Sequence, residues 1–148
     1  MIIRVFGASL LPPLARRPRA IAAVCRRVLG GEKAKVGGEL NVVFLDRRRM
    51  RELNKRFLGR TRDTDVIAFN YGEDPGPAAA ERPFGDIFIS ARKARAQAAA
   101  QGHPVLTEVL ILAAHGTLHL LGYDDSTARR RAVMFRKQDL ALRGPAAN

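Results

Sequence analysis

The sequence predicts an α+β domain, a small mixed sheet of about four strands packed against about five helices, with a strongly apolar helix at its centre. Three observations predict this. Short β-branched runs alternate with stretches whose apolar residues recur at helical spacing. The stretch Pro104–Leu121 is apolar nearly all round, as a helix buried on every side should be. And 148 residues with 47% hydrophobic content suit one core, so 1–148 reads as a single domain.

The elements follow in order. Ile2–Phe6 is β-branched and reads as a strand. Pro18–Leu29 spaces Ile21, Val24, Cys25 and Val28 as a helix does, and Gly30-Gly31 should stop it. Leu40–Leu45 is a short apolar run between turn signals, a buried strand. Asp46 can cap a helix over Arg47–Arg56, with apolar marks at Met50, Leu53 and Phe57. Val66–Asn70 is a third strand, and the Gly-, Pro- and Ala-rich Gly72–Pro83 a loop. In Gly85–Ser90, Ile87 and Ile89 fall on one face, Asp86 and Phe88 on the other. Ser90 can cap Ala91–Gln101, which Gly102 ends. Pro104 suits the first turn of the central helix, and Ser126–Leu142 reads as a final helix with a basic outer face.

Composition narrows the function. A single cysteine, Cys25, rules out an internal disulfide and reads as a buried structural residue. No apolar run is long enough to span a bilayer, and the N-terminus has the wrong order for a signal peptide, so a cytoplasmic protein with no membrane partner is expected. Lys and Arg number 26 against 14 acids, a net charge of +12. Codon bias explains an excess of Arg over Lys better than it explains a shortage of acids, so the charge points to a polyanion such as nucleic acid. Arg47–Arg49, Arg92-Lys93-Arg95 and Arg129–Arg131 supply basic faces on three helices. With only 6% aromatics, recognition is expected to rest on charge and shape more than on base stacking.

The segment His115–Asp125, HGTLHLLGYDD, carries the chemistry. It holds two of the chain's three histidines at i and i+4, on one face of a helix and about 5–6 Å apart at Cβ. Gly122 can end that helix and let Asp124 or Asp125 return beside the pair. Two nitrogens, a carboxylate and an open position form the layout of a catalytic zinc site. Zinc proteases of the HExxH type take their general base from the residue after the first histidine; here that residue is Gly116, which has no side chain to accept a proton. Asp65, Asp86 and Ser90 read as strand-end or cap residues, and His103 as a surface or capping residue.

This segment resembles the signature HGxLHLxGYDH of the YbeY family through His115, Gly116, Leu118, His119, Leu120, Gly122, Tyr123 and Asp124. Two more blocks agree in order. Leu53-Asn54, Gly59 and Thr64–Phe69 resemble LN…G…T(D/N)VLSF, and Gly85–Ser90 resembles the GDIxI strand. The resemblance spans Leu53 to Asp125. It implies a metal-dependent, single-strand-specific endoribonuclease that matures ribosomal RNA. The implied partners are ribosomal RNA or its precursor, with the small ribosomal subunit a further candidate. Asp125 falls where the family carries its third ligand, usually His, so the implied zinc ligands are His115, His119 and Asp125, with Asp124 supporting them from behind. A second departure is Leu58, where the family often has an Arg facing phosphate; Arg56, Arg60 and Arg62 stand nearby as substitutes. The competing functions are an RNA-binding ribosome-assembly factor with a structural metal, and a metal hydrolase of another substrate, such as a peptidase.

Overall fold

The alternation of β2 (Glu39–Leu45) explains how the sheet is layered. Leu40, Val42 and Phe44 are buried while the residues between them stay half-exposed, each buried side chain contributing about 1.5–3 kcal/mol. The computed structural model describes residues 1–34, 37–59, 64–71 and 83–144. Within them, β1 (Ile2–Phe6), β2, β3 (Val66–Asn70) and β4 (Pro83–Ser90) form one sheet in the order β1-β2-β4-β3. β1–β2 and β2–β4 run parallel, and β3 lies antiparallel to β4 as an edge strand. The result is the expected α+β domain with a four-stranded mixed sheet and five helices: α1 (Pro18–Gly31), α2 (Arg47–Leu58), α3 (Ala91–Gln101), α4 (Val105–Leu120) and α5 (Ala128–Arg143). The loop expected over Gly72–Pro83 lies outside the described residues, apart from Pro83, which opens β4.

α4 is central. It packs against α1, α3, α5 and the strands β3 and β4, with Val109, Ala113, Ala114 and Leu118 fully buried. Gly116 lets it lie close to the sheet, since a Cβ there would stand 2.6 Å from Ile87 Cγ2 and 3.3 Å from Val66 Cγ2. α1 buries the predicted stripe Ile21, Val24, Cys25 and Val28 against this layer. Burial pushes the Cys25 thiol up to about 11, so it is an inert core residue. Asp46 and Ser90 cap α2 and α3 as expected, accepting from the amides of Arg49 (2.9 Å) and Lys93 (3.1 Å).

Several features differ from expectation. Gly30 and Gly31 are inside α1; the left-handed turn falls on Lys33 (φ 51°), closed by Ala34 N–H to Leu29 O and Lys33 N–H to Gly30 O. Short 3-10 turns at Ala8–Leu10 and Pro13–Ala15, the second opened by proline, precede α1. On α2 only Met50 and Asn54 are buried, and Phe57 is 58% exposed despite its helical spacing. The cause is position. Register places Phe69 and Phe88 on the face opposite Ile87 and Ile89, and α2 meets that outer face through Phe57 and Phe69. His103 is a partly buried anchor, its Nε2 2.7 Å from Oε2 of the buried Glu108 at the start of α4.

Candidate metal centre

The last two turns of α4 carry His115 and His119 at the boundary between the core and solvent. The helix ends as the glycine predicts. Gly122 takes φ 96°, its N–H donates to His119 O, and Tyr123 N–H reaches back to Leu118 O at 3.1 Å. This turn swings the Tyr123 carbonyl over the helix end, where it accepts from His119 Nδ1 at 2.9 Å. Because a carbonyl only accepts, His119 carries its proton on Nδ1 and its Nε2 is a bare lone pair.

His115 is fixed in the same sense from α5. Thr127 caps that helix through the Arg130 amide, and Met134, Gln138 and Ala141 form its buried stripe. Gln138, 4% exposed, accepts from His115 Nδ1 at 2.5 Å through Oε1. The two Nε2 atoms therefore face each other as acceptors, 2.9 Å apart. Burial, and then the neighbouring His115, hold His119 below the usual histidine range, which keeps the ring neutral and able to bind a cation. Asp125 Oδ2 lies 3.8 Å from His115 Nε2, and one donor atom from each of His115, His119 and Asp125 falls within 4.8 Å of the others. Among the described residues this is the group able to hold a metal ion. Two lone pairs and a carboxylate converging without a proton between them suit a cation, and nitrogen with oxygen donors suits zinc.

Asp124 turns the other way. It accepts from the Ser126 hydroxyl (2.7 Å) and amide (3.0 Å) and from Arg130 (3.0 Å), and these bonds hold its carboxyl below the usual range. It thus shapes the loop that carries Asp125 rather than touching a histidine. The supports for the pair are Gln138 and the Tyr123 carbonyl. The signal for Gln138 was a polar residue inside the apolar stripe of α5.

Tyr123 is itself anchored. Its hydroxyl donates to Glu32 Oε2 at 2.7 Å, and Lys137 Nζ lies 2.6 Å from Glu32 Oε1 and 5.2 Å from the Tyr123 ring centre. Burial alone would raise the Glu32 carboxyl; the bonds from Lys137 and Tyr123 outweigh it and hold it below its ordinary value.

The remaining candidates separate. Asp65 accepts from the Val66 amide and from Gln97, and Asp86 from Asn41 and Tyr71, so both serve the sheet. Arg56 stacks its guanidinium 5.6 Å from the centre of the Phe57 ring, and Leu58 is exposed at the end of α2. Arg60 and Arg62 lie outside the described residues. The arginines beside the metal loop are on α5: Arg130 at Asp124, and Arg131, which donates to the Asp125 carbonyl at 3.2 Å.

Comparison with known proteins agrees with this geometry. The family model described as Endoribonuclease YbeY matches residues 14–144. Endoribonuclease YbeY of Elusimicrobium minutum is 40% identical over 134 residues, covering 90% of this chain and 92% of the relative. That of Geobacillus kaustophilus is 43% identical over 109 residues, 70% of each chain. A solution structure of a Thermotoga maritima protein superposes with a TM-score of 0.62 at 25% identity, covering 95% of this chain and 87% of that one. A match over this much of the chain, with the Nε2 atoms of the two signature histidines 2.9 Å apart, makes this chain a member of the YbeY endoribonuclease family.

Proposed function

We propose that the chain cleaves single-stranded regions of ribosomal RNA precursors with one zinc ion held by His115, His119 and Asp125. The observation that carries the metal assignment is the pair of Nε2 lone pairs facing each other, each set by a hydrogen bond at the opposite ring nitrogen. Bound there, zinc would supply Lewis acidity to a phosphoryl oxygen and make a water more acidic. The chain's own residues do the rest. Gln138 and the Tyr123 carbonyl hold the Nδ1 proton of each ring and so aim the two Nε2 atoms at the cation. Arg130 and Arg131 place positive charge at the rim of the loop, where charge builds on phosphorus. Gly116 leaves no protease-type base, and the contact a Cβ would make with Ile87 shows there is no room for one.

This reading sets the protein to work in the cytoplasm on ribosomal RNA or its precursor, with the small ribosomal subunit as a further partner. Among the described residues no helix is long and apolar enough to cross a membrane. Purified protein should cut single-stranded RNA, spare duplex RNA and casein, and stop when a chelator is added. His119→Ala and Asp125→Ala should lose metal and cleavage together. Full cleavage by metal-free His119→Ala protein would overturn the mechanism.

A further inference from the structure

The outer face of the sheet is left without a role. Of the chain's seven Phe and two Tyr, five gather there: Phe6, Phe57, Phe69, Tyr71 and Phe88. Register shows how. Phe6 pairs with Val43 and Val43 with Phe88 across β1, β2 and β4, while Phe69 lies opposite Asp86 on β3. Phe57 of α2 meets Phe69 edge-on at 5.5 Å, and Phe69 meets Phe88 at 5.9 Å. Tyr71 is held at the end of this row by its bond to Asp86. Phe6, Phe57 and Tyr71 are 48%, 58% and 54% exposed. A low aromatic content is thus concentrated on the outer side of the sheet, with Phe57, Phe69 and Phe88 in contact and Phe57 and Tyr71 accessible.

Two facts decide what covers it. α2, the helix laid on this face, has six basic residues and one acidic residue between Arg47 and Leu58. Its Arg56 guanidinium already stacks on Phe57, an arrangement that a nucleobase can extend or replace. Cations bordering exposed rings match a chain that presents phosphates on one side and flat bases on the other. The bases must be unpaired, because a duplex hides their faces. The platform also adjoins the metal helix. β3 is an edge strand, and Asn70, beside Tyr71, donates to Leu120 O at 2.7 Å, the residue after His119.

We propose that this face is a stacking platform for single-stranded RNA. It holds bases on Phe57 and Phe69 with their phosphates along α2, and leads the strand around the β3 edge toward the metal centre. The inference rests on the endoribonuclease reading for its class of ligand, and it makes stacking, not charge alone, the source of the preference for single strands.

The chain has no Trp, so Phe57→Trp adds a unique fluorophore at an exposed position. Binding is measured with chelator present, so that nothing is cut, using labelled polyuridylate and polyadenylate of about twelve nucleotides and a duplex of equal length. Single strands should quench Phe57→Trp emission and the duplex should not. Phe57→Ala should weaken single-strand binding about five-fold or more at fixed salt, with an unchanged salt slope, because a ring and not a phosphate contact is lost. Phe57→Tyr should bind as the parent does. Unmoved emission, together with parental affinity in Phe57→Ala and Phe69→Leu, overturns the platform and leaves the rings to a protein partner. The two readings fail separately. Quenching without any cleavage in the metal-loaded protein removes the nuclease reading and leaves the platform standing. Cleavage with Phe57→Ala binding at parental affinity removes the platform alone.

Discussion

Gln138→Leu isolates the positioning of His115 from the metal ligands themselves. Gln138 is 4% exposed, and the His115 side chain is 18% exposed, so water has poor access to the Nδ1 proton once Oε1 is gone. A buried donor left without a partner costs about 1–3 kcal/mol. The ring can escape by moving its proton to Nε2, which removes the lone pair a metal needs. Loss of such an outer partner weakens metal binding by about 10–100-fold, or about 1.4–2.7 kcal/mol. Leu is close to Gln in volume, so packing between α4 and α5 changes little. Zinc affinity is read by competition with a chromophoric chelator, and unfolding by circular dichroism with and without zinc. Gln138→Leu should bind zinc about 10–100-fold more weakly and lose most of the thermal shift that zinc gives the parent. Gln138→Glu restores an acceptor and should recover affinity. Zinc affinity within two-fold of the parent in a folded Gln138→Leu protein would refute the role.

Two further outcomes follow from the packing and the charges. Gly116→Ala should lower stability by about 1–3 kcal/mol, seen as a lower Tm, because its Cβ meets Ile87 Cγ2 at 2.6 Å in a close-packed layer; an unchanged Tm would contradict the contact. Glu32→Gln should cost about 1 kcal/mol near neutral pH, since the Glu32 and Lys137 side chains are 19% and 32% exposed. The folded carboxyl lies below its ordinary 4.5, so the unfolded chain takes up the proton more readily as pH falls. The difference from the parent should therefore be whole above about pH 4.5 and vanish as pH drops through the folded value. The hydrogen bond to Glu32 raises Lys137 above its ordinary 10.5, so the alkaline side should persist beyond that pH. A Tm difference that grows toward acid would show the sign to be wrong.

Local chemistry made much of this molecule readable in advance. Val66–Asn70 and Ala91–Gln101 were bounded correctly because turn and cap residues flank them. His115 and His119 could be paired because four residues of helix put them on one face, and Gly122 because its φ is hard for other residues. What stayed hidden depends on neighbours distant in sequence. Phe57 has the spacing of a core residue, and only the side of the sheet on which α2 lies makes it an exposed one. Gln138 interrupts an apolar stripe, which reads as a blemish until α5 is known to lie against α4. Lys33 holds the left-handed turn just past Gly30 and Gly31, the residues expected to stop α1, and hydrogen bonds across the helix end close it there.

The same distinction bears on Asp125. The histidines are oriented by partners on separate elements before any cation arrives. Asp125 is 54% exposed and rests on a loop set by Asp124, Ser126, Arg130 and Arg131. With a dication bound there, its carboxylate would draw the ion more strongly than a neutral imidazole and would also repel an approaching phosphate. Arg130 and Arg131, in the first turn of α5, would answer that second effect, because they bond to the loop that adds the charge. Asp125→His would leave those arginines facing a less negative centre. On the metal reading this would be a local trade, in which a tighter hold on the cation is balanced by positive charge at the start of α5.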